Sequence, residues 1–114
     1  MNTEQLTTKL AELVMGWRVV GDRFLMGNRQ WMPRWRFQPV KTIADAVRLL
    51  EKAAPESCAM DCDKSGVFHV QVRLAGKTGE TRNKSKARAI TYAIARAIGL
   101  ELDSEPNGDK VDGI

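Results

Sequence analysis

The chain has 114 residues, 43% hydrophobic and 28% charged, enough for one core but too few for two independent domains, and a composition that excludes a disordered chain. No apolar run approaches the roughly 18–20 residues of a membrane span, and Met1-Asn2-Thr3-Glu4-Gln5 lacks a signal peptide's basic start and apolar stretch, so a cytoplasmic protein is expected. The net charge of +4 divides unevenly: beyond Leu100, Glu101, Asp103, Glu105, Asp109 and Asp112 face only Lys110, a balance of −4 that leaves +8 on residues 1–100. A basic body of this kind permits binding to nucleic acid or another acidic surface.

Residues 4–15 carry Leu6, Leu10, Leu13 and Val14 at the spacing of one helical face, with Thr3 as N-cap and Gly16 as the stop. Trp17–Val20 and Arg23–Met26 then flank Gly21-Asp22, a pair that suits a II′ hairpin turn between two short strands. Gly27-Asn28 is a further turn. The prolines of Trp31-Met32-Pro33-Arg34-Trp35-Arg36-Phe37-Gln38-Pro39 forbid a regular helix and disfavour a central strand, which leaves a loop or an edge strand.

Thr42 with Asp45 three residues later resembles a capping box, and Ile43, Ala46, Val47 and Leu50 form a helical stripe closed by Pro55. Ser57–Cys62 and Val67–Leu74 read as two strands joined by a polar turn ending in Gly66. In the second, Phe68, Val70, Val72 and Leu74 alternate with His69, Gln71 and Arg73, as a sheet with one buried face requires. Cys58 and Cys62, four apart on a strand, have Cα atoms roughly 13 Å apart, too far for the disulfide limit of about 7 Å. Their alternation with Met60 predicts buried reduced thiols.

Gly76–Asn83 is polar and reads as a loop. The last helix runs from about Lys84 to Ile98, with Ile90, Ile94, Ala97 and Ile98 inward and Gly99 as its cap. The order α-β-β-α-β-β-α describes one α+β domain over residues 1–100. In it a small antiparallel sheet packs with three helices, an α/β/α sandwich-like arrangement. An acidic, flexible tail is expected over 101–114.

Leu13-Val14-Met15-Gly16-Trp17, the helix Ile43–Lys52 and the helix Ala89–Leu100 together resemble the phage ABA sandwich domain, a family of small phage and prophage proteins. The resemblance covers about residues 4–102. Val40-Lys41-Thr42 stands where members often have Ser-Thr-Asp. The resemblance implies a three-layer sandwich and a phage or mobile-element origin, and brings no shared catalytic residues.

Catalysis has little to stand on. The single histidine, His69, is at an outward strand position with no serine or cysteine partner that spacing would bring near it. Acid pairs would have to come from turns or the tail, where nothing fixes their geometry. Asp61, Asp63, Ser65 and Gly66 match the first half of a calcium loop, but Val72 stands at position twelve and strands flank the loop, so it reads as a polar hairpin turn. No metal, cofactor or enzymatic activity is expected.

Two constellations suit binding. Arg29, Trp31, Arg34, Trp35 and Arg36 place rings beside guanidinium groups, the residue types enriched in binding hot spots. Alternation also allows Trp31 and Trp35 to face the core with Arg34 and Arg36 in solvent, and the sequence leaves both readings open. Arg82, Lys84, Lys86 and Arg88 cluster where the last helix begins, a place that favours phosphate. Gly79–Ala89 with Ala93, Ile94, Ala97 and Ile98 is similar to the end of a double-stranded-RNA-binding domain, although Ala87 and Ile90 replace two of its lysines and only two strands are expected between the second and third helices. The leading expectation is a non-enzymatic phage accessory protein that binds and blocks a host protein or complex, for example as an inhibitor of a host defence system. The alternative is a nucleic-acid-binding module. The sequence identifies neither the partner nor the oligomeric state.

Overall fold

The computed structural model describes residues 2–100, and the tail expected at 101–114 lies outside them. Helix α1 (Thr3–Leu10) is capped by Asn2 rather than Thr3. The Gln5 N–H donates to Asn2 Oδ1 at 2.8 Å and the Asn2 N–H donates to Gln5 Oε1 at 2.9 Å. This reciprocal pair satisfies two donors that a helix start leaves free. Ala11–Met15 continue as a π-helical turn that Gly16 closes at φ 74, a left-handed conformation suited to glycine. Ala11 and Met15 are buried on this wider turn, whereas Leu13 is turned outward and 61% exposed. The expectation that Leu13 continues the face of Leu6 and Leu10 is thereby corrected.

Strands β1 (Arg18–Val20), β2 (Arg23–Leu25) and β3 (Trp31–Pro33) form an antiparallel sheet in that order. Gly21, with φ 61, turns the first hairpin where Val20 pairs with Arg23. Of the loop and the edge strand that the prolines allow, the structure has an edge strand over Trp31–Pro33, followed by a 3₁₀ turn over Arg34–Arg36.

Helix α2 (Ile43–Ala53) begins at Thr42, whose side chain accepts from the Asp45 N–H. The Asp45 carboxylate accepts from the Gln38 N–H at 2.9 Å, tying the preceding segment to the helix start. The buried positions are Ala46 and Leu49, while Ile43 and Val47 are exposed, so only part of the expected stripe faces inward.

The second sheet contains β4 (Ser57–Cys62), β5 (Phe68–Leu74) and β6 (Lys77–Asn83), antiparallel and in sequence order. The segment read as a polar loop is therefore strand β6. The fold remains α+β, but with two three-stranded sheets in the order α-β-β-β-α-β-β-β-α. Gly79, Thr81 and Asn83 form the buried face of β6, an alternation made of small and polar residues. Thr81 Oγ1 donates to the Ala89 carbonyl at 2.7 Å.

Helix α3 (Lys86–Ala97) starts at Ser85, whose side chain accepts from the Arg88 N–H at 3.2 Å. It packs on β6 and β5 and against α2, which leaves nine of its twelve residues buried. The approach to β6 is close. A Cβ on Gly79 would lie 2.5 Å from the Ala97 nitrogen and closer still to the Ala93 carbonyl oxygen. The helix does not reach over β4, all six residues of which are exposed. Cys58 and Cys62 are free thiols on this exposed strand, which corrects the expectation that they are buried.

Among the described residues, no helix is long and apolar enough to cross a membrane.

Candidate binding surface

Trp17, Phe24 and Phe37 form a ring cluster against the first sheet, with centroid separations of 5.0 to 6.1 Å and Phe37 edge-to-face with the other two. The Arg48 guanidinium lies 5.1 Å from the Trp17 ring centroid. With Phe37 inserted into this cluster and the chain turning through 3₁₀ geometry just before it, the two tryptophans of the same segment are left outside. Trp31 is 49% exposed and Trp35 is 70% exposed. The structure thus removes the core reading of these two rings. Arg29 and Arg36 are exposed beside them, and Arg29 is held at φ 61. Arg23 lies over the Trp31 ring at 5.9 Å.

Arg34 differs from its neighbours. Its Nη2 donates to Thr8 Oγ1 at 2.5 Å and lies 3.6 Å from Glu4 Oε1, while Nη1 donates to the Gly21 carbonyl at 3.5 Å. Its side chain is only 28% exposed, so the expectation of a solvent position is corrected. Arg34 clamps α1 and the β1–β2 turn to the Trp/Arg segment.

A cleft of about 670 Å³ opens beside this clamp. Trp35, Gln38, Lys41 and Arg88 line it together with Arg34, and Phe24, Phe37 and Val40 supply apolar wall. Glu4 and Asp22 also border it. The cleft joins two groups that the sequence kept apart, because Arg88 of the basic cluster lines the same space as Arg34 and Trp35. Lys84 is exposed, and Arg82, Lys86 and Arg88 are partly buried. Lys41 belongs to the cleft without any mark in the sequence; a lysine directly before the Thr42 cap gives no signal of its own. Three cationic side chains, an exposed indole and an apolar wall suit a partner that presents an acidic group next to an apolar one.

His69 lies on β5 with Nε2 3.5 Å from Asp63 Oδ2. Asp63 Oδ1 accepts from Ser65 Oγ at 2.6 Å, Ser65 N–H at 2.9 Å and Val67 N–H at 3.1 Å. These bonds, led by the Ser65 hydroxyl and the Val67 N–H, lower the Asp63 pKa to about 2. The carboxylate that would stand third in a calcium loop is instead spent in closing the hairpin. Among the described residues, no group of three or more His, Cys, Asp or Glu side chains could hold a metal ion.

The fold is similar to that in the crystal structure of a phage protein from Bacillus cereus ATCC 14579, with a TM-score of 0.71 and 16% identity over 90% of this chain and 93% of that one. At that identity the likeness shows a shared fold. No family model and no curated protein matches the chain, so the resemblance to the phage ABA sandwich domain is met at the level of a phage-protein fold.

Proposed function

We propose that this is a non-enzymatic phage accessory protein that binds a host protein through Trp31, Trp35 and Arg36 and the adjoining cleft, and blocks it, as an inhibitor of a host defence system would. The observation that carries the reading is the exposure of Trp35 at 70% and Trp31 at 49% beside arginines. Trp and Arg are the residue types enriched where one protein surface covers another. The phage-protein fold supports the setting.

The test is a pull-down from bacterial lysate, with and without nuclease, using the wild type, Trp31→Ala/Trp35→Ala and Lys84→Glu/Lys86→Glu. Capture that survives nuclease, persists in the lysine variant and falls about 30-fold in the tryptophan variant is expected, the size of a hot-spot loss of about 2 kcal/mol. Capture that nuclease abolishes would overturn the reading.

That second outcome has an observation behind it. With β6 in place, α2, β4, β5, β6 and α3 run helix-strand-strand-strand-helix, which removes the strand-count objection to the likeness with double-stranded-RNA-binding domains. Ser85 caps α3 with Lys84, Lys86 and Arg88 around it. A nucleic-acid module built there would bind with steep salt dependence, lost in Lys84→Glu/Lys86→Glu.

A further inference from the structure

Among the described residues β4 has an unpaired edge, and it differs from the other sheet edges. β1 is three residues long, β3 ends in Pro33, and β6 carries Lys77, Glu80 and Arg82. Short length, proline and charge are the means by which sheet edges avoid pairing with other chains. β4 is six residues long, with no proline and Asp61 as its only charged residue.

Its hydrogen-bonding phase can be read from its two ends. The Asp63 N–H donates to the Val67 carbonyl at 3.0 Å, and the Glu56 N–H donates to the Arg73 carbonyl at 2.8 Å in a bulge opposite the Ser57–Arg73 pair. Ser57, Ala59 and Asp61 therefore spend their backbone groups on β5. By alternation, Cys58, Met60 and Cys62 turn their N–H and C=O groups to the open edge. The same three residues stand opposite Val72, Val70 and Phe68. Their side chains thus share the face that α3 covers further along, and Met60 is 38% exposed there.

We propose that β4 pairs antiparallel with β4 of a second copy about a twofold axis through Met60, joining two three-stranded sheets into one of six strands. This register pairs Met60 with its own copy and Cys58 with Cys62 of the other chain, and it uses all six open-edge groups of each strand. Asp61 comes opposite Ala59, so no like charges meet. Cys58, Met60 and Cys62 of both chains gather on the side of the sheet that carries the helices. The inference is independent of the Trp/Arg surface.

The test is sedimentation of the full chain across a concentration series under reducing conditions. The wild type is expected to dimerise, and Met60→Pro to remain monomeric with an unchanged circular dichroism spectrum. The proline would remove an N–H that faces the open edge and no ladder bond within the chain. Met60→Lys, which puts like charges opposite each other at the axis, is expected to do the same and serves if the proline variant does not fold. The register is tested with diamide, which takes two hydrogens from two thiols as it becomes a hydrazine and leaves a disulfide. Hydrogen-bonded antiparallel partners have Cα atoms about 5.5 Å apart, within the span of a disulfide. Cys58→Ser alone and Cys62→Ser alone should not cross-link, whereas a mixture of the two should. A wild-type monomer at every concentration, whatever else covers the edge, overturns the pairing. So does cross-linking of either single variant by itself.

Discussion

In the first sheet, three strands of three residues each offer little backbone ladder, and the Trp17, Phe24 and Phe37 rings packed against it hold the region together. In the second, strands of six and seven residues form long ladders, and the contact with α3 depends on having almost no side chain, at Gly79 above all. One region is stabilised by large rings and the other by closeness of backbone. The first should therefore suffer from losing volume and the second from gaining it.

Phe37→Ala is expected to have the largest effect, about 3–5 kcal/mol of lost stability in urea unfolding, because it removes a fully buried ring contacting two others. A loss under 1 kcal/mol would show that the cluster does not hold the first sheet. Gly79→Ala adds one methyl group and should cost about 1–3 kcal/mol, since the atoms it meets are helix backbone that cannot rotate away. An unchanged midpoint would mean that α3 and β6 are further apart.

Acid should probe the β4–β5 turn. The folded-state pKa of Asp63, about 2, is below its ordinary 3.8, so its stabilisation is present above pH 4 and is lost as pH falls through about 2. An NMR titration of the Ser65 and Val67 amides should show a midpoint near 2, and one near 4 would mean that the carboxylate is not bonded to them. Trp35→Ala should have the smallest effect on stability, within about 0.5 kcal/mol, because the ring is already in solvent. A clear drop in thermal midpoint would place the ring in the fold instead of on a binding surface.

What was legible in the sequence followed the same division. Thr42 with Asp45, and the alternation from Phe68 to Leu74, announced α2 and β5 because cap chemistry and a period of two survive in a single sequence. Strand β6 was hidden because its inward face is Gly79, Thr81 and Asn83, residues that signal a loop unless a helix is known to press on them. Cys58 and Cys62 alternate as a buried strand would, and only the reach of α3 decides that they are exposed. Trp31 and Trp35 could be assigned to either face until the 3₁₀ turn before Phe37 was known. The basic cluster and the Trp/Arg segment, 46 positions apart between Arg36 and Arg82, gave no sign that Arg88 and Arg34 border one cleft.

The crowding around α3 has a consequence for how such a chain can change. Nine of its twelve residues are enclosed, so most substitutions along it would have to be matched by others nearby. The segment from Trp31 to Arg36 is under a lighter constraint, because apart from Met32, which packs against the core, and Arg34 its side chains contribute little to the enclosed part of the molecule. A lineage can rewrite the exposed positions of that segment while its scaffold stays as it is.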